Sequence, residues 1–571
     1  MSNINNIIEE VNEDFLMEYT KNISKEIRLS GSEEELRAFQ YTKGKLEEFG
    51  LNPVLEFCDA YISLPIRAEL VIDKNKYECI THSMGSSTPL EGIQNEIIYL
   101  DAKNKELSSQ DYAAKIILLD GLAVPGSVQW AESVGASGVI FVNGEHTHEM
   151  IVSSVWGNPT TSSISLLPKI PVASVTSQVG EAIKKSLEKN HQISAKLTTV
   201  VETGWRKIPI LTAEAKAKED TDKFVLFSGH IDSWHYGSMD NGTANATMLE
   251  VARILSKKSS DLLRSVRFAF WSGHSHGRYA ASTWYCDQNW EDLHENGIVH
   301  VNIDSVGAKG ATVLTESNCM KETKEVVKDS VQKIANQKFQ GTRYSRAGDQ
   351  SFWGTGMPSL LMGLSEQPPS TDVASSAFSD LFGGENSGGY GWWWHTTEDT
   401  MDKIDKDNLK RDCQIYLDIV YTFCTERILP INQLHAISEI SEALVSYSKK
   451  GGTRLDFEIS QKRIEQLQEN VSKMYILSKN PNLSDEERDK INEMILRLSR
   501  ILVPLNYVNG DIFDHDLAAN TPCIPSLHKI NELEEINRDS HEYLLLENEL
   551  KRSLNKVNYA LKNALRIMEN T

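Results

Sequence analysis

The sequence predicts an α/β chain of several parts: a mixed-sheet core with helices on both faces, a β-rich insertion ahead of it, and a helical domain behind it. Three observations carry this. Residues 205–430 alternate strand-like apolar runs with helical ones, the stretch from about Leu64 is built of short β-rich runs, and beyond about residue 431 apolar residues recur at helical spacing. At 571 residues the chain is several times the ~150 that usually make one domain, so several cores are expected.

Taken in order, Ser32 and Glu35 make a capping pair, Leu36, Phe39, Leu46 and Phe49 share one face, and Gly50 can close the end, which predicts a helix over 32–50. A strand follows at Asn52–Cys58. KIILLDG (Lys115–Gly121), WAESVGA and GVIFVN (Gly138–Asn143) read as strand, helix, strand. KFVLFSGHID (Lys223–Asp232) is a buried strand, NGTANATMLEVARIL a helix and SVRFAFWSG (Ser265–Gly273) a strand, and IVHVNIDSVG (Ile298–Gly307) and SLLMGL (Ser359–Leu364) continue the pattern. In such a sheet the functional groups gather at the carboxyl ends of the strands. The helical region carries three stripes: Ile464, Leu467, Val471 and Met474; Ile491, Met494, Leu498 and Ile501; Leu546, Leu550, Val557 and Leu561. A non-helical insert, Pro504–Leu527, separates the second from the third.

Composition narrows the function. With 40% hydrophobic and 24% charged residues the chain is neither collagen-like nor wholly disordered. Lys and Arg total 59 against 80 Asp and Glu, and the net charge of −21 argues against nucleic acid or an anionic membrane as partner. The acidic start MSNINNIIEEVNEDFLMEY lacks the cationic and apolar regions of a secretory signal, and no segment supplies the ~18 apolar residues of a membrane span, so a cytoplasmic location is expected. The seven cysteines are scattered without a Cys-x-x-Cys pair, which excludes a thiolate zinc site of that kind and leaves reduced, mostly buried thiols as the expectation.

The chemistry concentrates at strand ends. His230 and Asp232 close one strand as His-x-Asp, Asp240 follows in GSMDNG before a helix, Asp304 lies at the end of VNIDSVG's strand, and His395 opens HTTEDTMDKID after a glycine-rich loop. Imidazole with carboxylate is the donor mixture zinc takes when thiolate is absent. Singly, each reads as a hydrogen-bonded loop residue. His146 and His148, a His-x-His without a third donor nearby, read as a solvated loop.

As a set, in this order, these residues resemble the zinc aminopeptidase family that includes glutamate carboxypeptidase II and the catalytically silent transferrin receptor. The matching features are His230 with Asp232, the Asp240-Asn241 pair before a helix, Asp304, His395 within His-Thr-Thr-Glu-Asp-Thr, and AGDQSFWGTGMP (Ala347–Pro358). The resemblance implies residues 1–61 and 201–430 as the peptidase-like core, residues 62–200 as an inserted protease-associated domain, and residues 431–571 as a helical domain through which a homodimer forms. It implies one metal ion on His230, Asp240 and Asp304, a second on Asp240, His395 and one further ligand, and Asp232 orienting His230. Zinc is the expected ion; manganese, cobalt or iron stay open.

One departure bears on mechanism. Where the family has a Glu-Glu pair, a general base and a metal ligand, this chain reads WSGHSHGRYAAS, which sets His274 at the base and Ser275 at the ligand. His274 then either takes a proton from water, or His274 or His276 ligates the second ion, or catalysis is lost. Without a cation, Asp232, Asp240 and Asp304 would face one another at a cost in repulsion and desolvation, which favours a retained metal. For substrate, Tyr390 and Trp394 are the expected pocket walls, with Trp392 and Trp393 expected in packing; Arg278 and Arg346, with Arg343 nearby, are candidate carboxylate clamps, and Tyr279 a candidate oxyanion donor. The expectation is a metal-dependent hydrolase cutting an amide or peptide-like C–N bond of a small molecule or short peptide. The alternatives are a silent scaffold on the transferrin-receptor plan and a metal-assisted lyase.

Overall fold

The structure, a computed structural model, describes residues 7–101, 112–189, 192–218, 221–344, 348–373, 375–376, 387–451 and 454–569. Helix α1 (Glu13–Ile23) starts at Asn12, whose side chain accepts from the N–H groups of Asp14 and Phe15. Helix α2 (Glu33–Glu48) starts at Ser32, whose Oγ accepts from Glu35 N; the Glu35 carboxylate turns to Gly31 N instead of closing the box.

Strand β1 (Val54–Ile72) runs far beyond the expected Cys58. After it come β2 (Asn75–Tyr77), β3 (Ile80–Thr81), β4 (Ile93–Leu100), β5 (Ile116–Asp120), α3 (Pro125–Ser133), β6 (Gly138–Val142), β7 (Val172–Val175), α4 (Ser177–Lys189) and β8 (Ile193–Ala215). β1 and β8 pair antiparallel from Val54 opposite Thr212 to Ile72 opposite Ala195. β4 to β7 are parallel, β3 is antiparallel to β7, and β4 is antiparallel to β8. The expected boundaries near residues 62 and 200 therefore fall inside two continuous strands.

The remainder of the α/β part is β9 (Phe224–His230), α5 (Ala244–Leu255), β10 (Ser265–Trp271), α6 (Ala280–Gln288), α7 (Trp290–Asn296), β11 (Gly297–Asn302), α8 (Lys324–Ala335), β12 (Ser359–Leu360) and α9 (Lys406–Thr425). The order β12–β11–β9–β10 is parallel, and β10 joins β8 antiparallel, so one twelve-stranded mixed sheet runs through the molecule. All residues of β9 are buried because both faces are covered. Val225 and Phe227 pack with α5 and α9, while Phe224 and Leu226 pack with Ala281, Tyr285 and Leu293 of α6 and α7. Each such side chain contributes about 1.5–3 kcal/mol by leaving water.

Helices α10 (Gln433–Lys450), α11 (Glu458–Ser478), α12 (Asp485–Tyr507) and α13 (His541–Glu569) form the expected helical region. The stripes on α11 and α13 are buried; on α12 Ile491 and Leu498 are buried while Met494 and Ile501 are half-buried. α12 runs through Pro504 to Tyr507, so the first turn of the expected non-helical insert is helical: in the last turn proline gives up one backbone bond, and packing of Leu505 and Tyr507 outweighs it. None of the seven cysteines forms a disulfide; Cys79 and Cys523 are half-buried and the rest buried. Among the described residues no helix is long and apolar enough to cross a membrane.

Candidate metal centre

Parallel strands that end together bring the loops at their carboxyl ends together. His230 closes β9 opposite Trp271 of β10, and the loops after β9, β10 and β11 supply Asp240, His274 and Asp304. His230 Nε2 lies 3.3 Å from Asp240 Oδ1 and 3.5 Å from Asp304 Oδ2, while its Nδ1 donates to the Asp232 carbonyl at 2.9 Å. His395 Nε2 lies 3.0 Å from Asp240 Oδ2. The four residues expected around metal thus meet, although Asp240 and His395 are far apart in sequence.

The turn that returns Asp240 to His230 is held from three sides. Arg28, fully buried, donates to the carbonyls of Ile231 (2.7 Å), Tyr236 (2.6 Å) and Gly237 (3.0 Å). The Asp399 carboxylate accepts from Met239 N and Asp240 N, both at 2.9 Å. Asn241 donates to the Ile303 carbonyl and accepts from Ser305 N, tying this turn to the one that carries Asp304. Gly237 has φ +52°, and a Cβ there would collide with the Asp240 carbonyl and the Ser233 side chain. Sequence reasoning missed these supports. Asp399 had a signal, as the acid of His-Thr-Thr-Glu-Asp; Arg28 lies in an unpatterned link between two helices and had none.

Asp232 ties His230 to the loop after β10. Its carboxylate accepts from Ser30 Oγ at 2.7 Å, Ser275 N at 2.8 Å and His274 N at 3.3 Å, and its Oδ1 lies 3.5 Å from His230 Nδ1. His274 stacks on His230 with ring centroids 3.7 Å apart and planes 11° apart, and its Nε2 lies 3.9 Å from Asp304 Oδ2. His276, expected as an alternative ligand of the second ion, does not line the cavity: it lies under Trp234 with its Nδ1 2.9 Å from Ser30 Oγ. Within this turn His274, Ser275, Arg278 and Tyr279 line the neighbouring cavity, and His276 does not.

A cavity of about 100 Å³ opens beside these groups. Trp394, Tyr390, Tyr279, Met362 and Ile151 give it apolar walls, and His274, Asp304 and His395 a polar floor. Trp394 stacks on His395 at 3.4 Å, Tyr279 stands edge-on to His274 at 4.5 Å, Trp393 is buried, and Trp392 is 41% exposed and stacked on His146. Arg278 lines the cavity with Nη2 donating to the Ile151 carbonyl at 2.6 Å. Arg346 lies outside the described residues. Arg343 is spent elsewhere, paired with Glu439 at 2.8 Å and donating to the carbonyls of Thr521 and Asn506.

The His146-x-His148 stretch is not a solvated loop. His148 is buried with Nδ1 donating to the Trp394 carbonyl at 2.7 Å, and burial pulls its imidazole down to about 4. The next residue clamps the site through its main chain: His395 Nδ1 donates to the Glu149 carbonyl at 2.6 Å, and Glu149 N donates to the His395 carbonyl. Aromatic packing against Trp392 and Trp394 supplied the partners that sequence spacing alone did not show.

Burial would raise the Asp232 and Asp240 carboxyls, but hydrogen bonding and charge, from His230 for Asp232 and from His230 and His395 for Asp240, outweigh it and hold both well below their ordinary range. Asp304 is raised by burial and by the Asp240 charge. Burial opposes a charged His230, but Asp304, Asp232 and Asp240 hold its imidazole well above the usual value. Burial and then the His230 charge hold His274 well below it. These directions describe a buried carboxylate cluster short of positive charge, in which His230 is pressed to supply it.

His230 Nε2 is buried and makes no well-aligned hydrogen bond, although two carboxylate oxygens stand within 3.5 Å of it. An orphaned imidazole nitrogen among carboxylates fits a divalent cation, and imidazole with carboxylate oxygen is a zinc donor set. His230, His274 and Asp304 offer donor atoms that all lie within 4.8 Å of one another.

Residues 210–420 match peptidase family M28. The chain is 25% identical over 194 residues to a probable glutamate carboxypeptidase VP8 of Zea mays, covering 34% of this chain and 26% of that one. It is 22% identical over 365 residues to aminopeptidase YwaD of Bacillus subtilis, covering 63% and 74%. The match thus spans about a quarter of the maize protein's length. Among solved structures, a peptidase M28 precursor from Shewanella amazonensis superposes with a TM-score of 0.60 at 16% identity over 75% of this chain and 97% of that one. A zinc aminopeptidase from Bacillus subtilis gives 0.55 at 20% identity over 73% and 96%. At these identities the superpositions establish the fold, and the match to peptidase family M28 is confined to residues 210–420.

Proposed function

We propose that the protein is a metal-dependent hydrolase that cuts an amide or peptide-like C–N bond of a small substrate. The observation that carries the reading is the orphaned His230 Nε2 set between Asp240 and Asp304 at the edge of a cavity. His230, Asp240 and Asp304 would hold the ion, zinc first, and a zinc ion bound there supplies a Lewis acid for a carbonyl oxygen and an acidified water. Asp232 holds His230 by its main-chain carbonyl and fixes the tautomer that leaves Nε2 free. Burial pushes the Tyr279 phenol well above its ordinary value, so it stays a hydrogen-bond donor suited to a developing oxyanion.

The cavity's volume of about 100 Å³ and its walls of Trp394, Tyr390 and Met362 suit one small apolar or aromatic group next to the cut bond. Arg278, buried and still charged at neutral pH, is the cavity's cation for a substrate carboxylate. The homodimer expected through residues 431–571 belongs to the same proposal; α13 leaves Leu544, Leu545 and Tyr559 exposed.

The test is turnover of a panel of amino-acid amides and dipeptides by metal-loaded protein, read by mass spectrometry. Expected are products whose masses sum to substrate plus water, and loss of turnover with a chelator and in His230→Ala. Turnover that survives chelation overturns the reading. Products without added water identify the lyase instead. Absence of both metal and turnover identifies a scaffold, the reading favoured by the missing Glu-Glu pair.

A further inference from the structure

Resting on the hydrolase reading above, we infer that the substrate is an N-acylated α-amino acid, free or at the carboxyl end of a peptide, whose carboxylate is the missing counter-ion of Arg278.

A guanidinium carries five N–H donors and a permanent charge, and burying it is costly unless it is paired. Arg278 is 6% exposed, yet among the described residues its side chain makes one hydrogen bond, from Nη2 to the Ile151 carbonyl at 2.6 Å, and its Nε is buried without a partner. The other buried arginines among the described residues are treated differently. Arg28 donates to the carbonyls of Glu26, Ile231, Tyr236 and Gly237, with the Asp399, Asp232 and Asp240 charges acting on it. Arg264 donates to the carbonyls of Phe423, Glu426 and Arg427, with Asp489 and Glu426 acting on it. Burial pulls Arg278 down to about 10; what works against that is the Tyr279 phenol, and no carboxylate helps. The fold holds it there all the same. Arg278 and Tyr279 both take left-handed backbone, φ +43° and +69°, which residues with a Cβ rarely adopt, and Gly157 N donates to the Arg278 carbonyl at 2.7 Å. A buried cation kept unpaired on a cavity wall is suited to an anion that arrives with the ligand, and a carboxylate meets it as a two-pronged pair.

The other walls say which part of the substrate carries that carboxylate. Arg278 shares a cavity of about 100 Å³ with Trp394, Tyr390 and Met362, room for one small apolar or aromatic group. An α-amino acid bears such a group and a carboxylate on one carbon, so both walls are met by one residue of substrate. Its nitrogen is not a free ammonium. The carboxylates that line the cavity are Asp240 and Asp304, both already against His230, and Asp240 also against His395. Among the described lining residues no further carboxylate is left for an ammonium, which would share the cavity with the guanidinium and the metal ion. The nitrogen is therefore acylated, and its bond to the acyl group is the one cut. Water's oxygen bonds to the acyl carbon, the C–N bond breaks, and the nitrogen leaves with a water proton, giving a free acid and a free α-amino acid.

The test sets zinc-reloaded protein against N-acetylleucine, N-acetylleucinamide and leucinamide, with turnover read by mass spectrometry and ligand binding by melting temperature. Expected is a kcat/KM for N-acetylleucine at least tenfold above that for either amide. In Arg278→Met this preference should fall toward one through a higher KM for N-acetylleucine, and Arg278→Lys, which keeps the charge but not the fork, should retain part of it. N-acetylleucine should raise the melting temperature of the unaltered protein and not that of Arg278→Met. With no ligand, Arg278→Met should melt no lower than the unaltered protein, because it removes an unpaired buried charge. Equal turnover with and without the carboxylate, a preference for leucinamide, or a preference that survives Arg278→Met overturns the inference. So does a clear drop in the melting temperature of ligand-free Arg278→Met, which would make the guanidinium a structural group. If none of the three is turned over, the hydrolase reading falls, and the melting shift with N-acetylleucine and its loss in Arg278→Met still decide whether Arg278 receives a carboxylate.

Discussion

Asp399→Asn is the sharpest probe of how the centre is built. The carboxylate accepts two backbone N–H bonds, from Met239 and Asp240, both at 2.9 Å, and so fixes the turn that presents the Asp240 carboxylate to His230. Asparagine has the same shape but one acceptor oxygen, so one of those N–H groups must face an NH₂ group. The loss is one hydrogen bond to a charged group, about 1.5–3 kcal/mol. Without an ion the turn can relax onto water, so the loss falls on the ion-bound state. At about 1.4 kcal/mol per factor of ten, metal affinity should fall about 10- to 100-fold. Competition titration of zinc against a chromophoric chelator measures it, with circular dichroism to show an intact fold. An affinity equal to that of the unaltered protein would refute the idea that Asp399 positions Asp240.

Two further outcomes follow from groups remote from the metal. Burial, with Glu439 adding to it, pushes the Glu322 carboxyl up to about 7, so the folded chain keeps a proton that the unfolded chain releases above its ordinary value of 4.5. Stability contributed by this group is therefore lost as pH rises from about 4.5 to about 7, and Glu322→Gln should gain up to about 3 kcal/mol over the unaltered protein at about pH 8 and little near pH 4.5. A melting-temperature difference independent of pH would count against it. Arg343 lies over Tyr507 at 3.9 Å, pairs with Glu439 and holds the carbonyls of Thr521 and Asn506. Arg343→Met should lower the urea midpoint in keeping with about 3–5 kcal/mol while leaving metal content unchanged; a loss of bound metal would assign Arg343 to the site after all.

Much of this molecule was legible in one dimension because the relevant signals are local. Apolar runs of strand length ending in His-x-Asp or Asp-Ser-Val-Gly announce buried parallel strands and what lies at their ends, and 3.6-residue stripes announce the helices. His230, Asp240, Asp304 and His395 could be grouped as candidate ligands because their order and surroundings resemble a known family's, and they meet because the strands of a parallel sheet end on one side. The length of β1 and β8 was not legible, because pairing over some twenty residues depends on a partner more than a hundred positions away.

Only the tertiary structure decided the rest, and the reason is the same each time: it turns on which side of a short loop a side chain takes, or on a partner from a distant segment. His274 and His276 are equivalent in the sequence, yet one stacks on His230 and the other lies under Trp234. Arg28 and Ser30, unremarkable between two helices, are the supports of Asp240 and Asp232. His148 and Glu149, in a different part of the chain, close on Trp394 and His395. Sequence fixes the chemical groups available to a centre, whereas the burial and hydrogen bonds that orient them come from residues brought near by the fold.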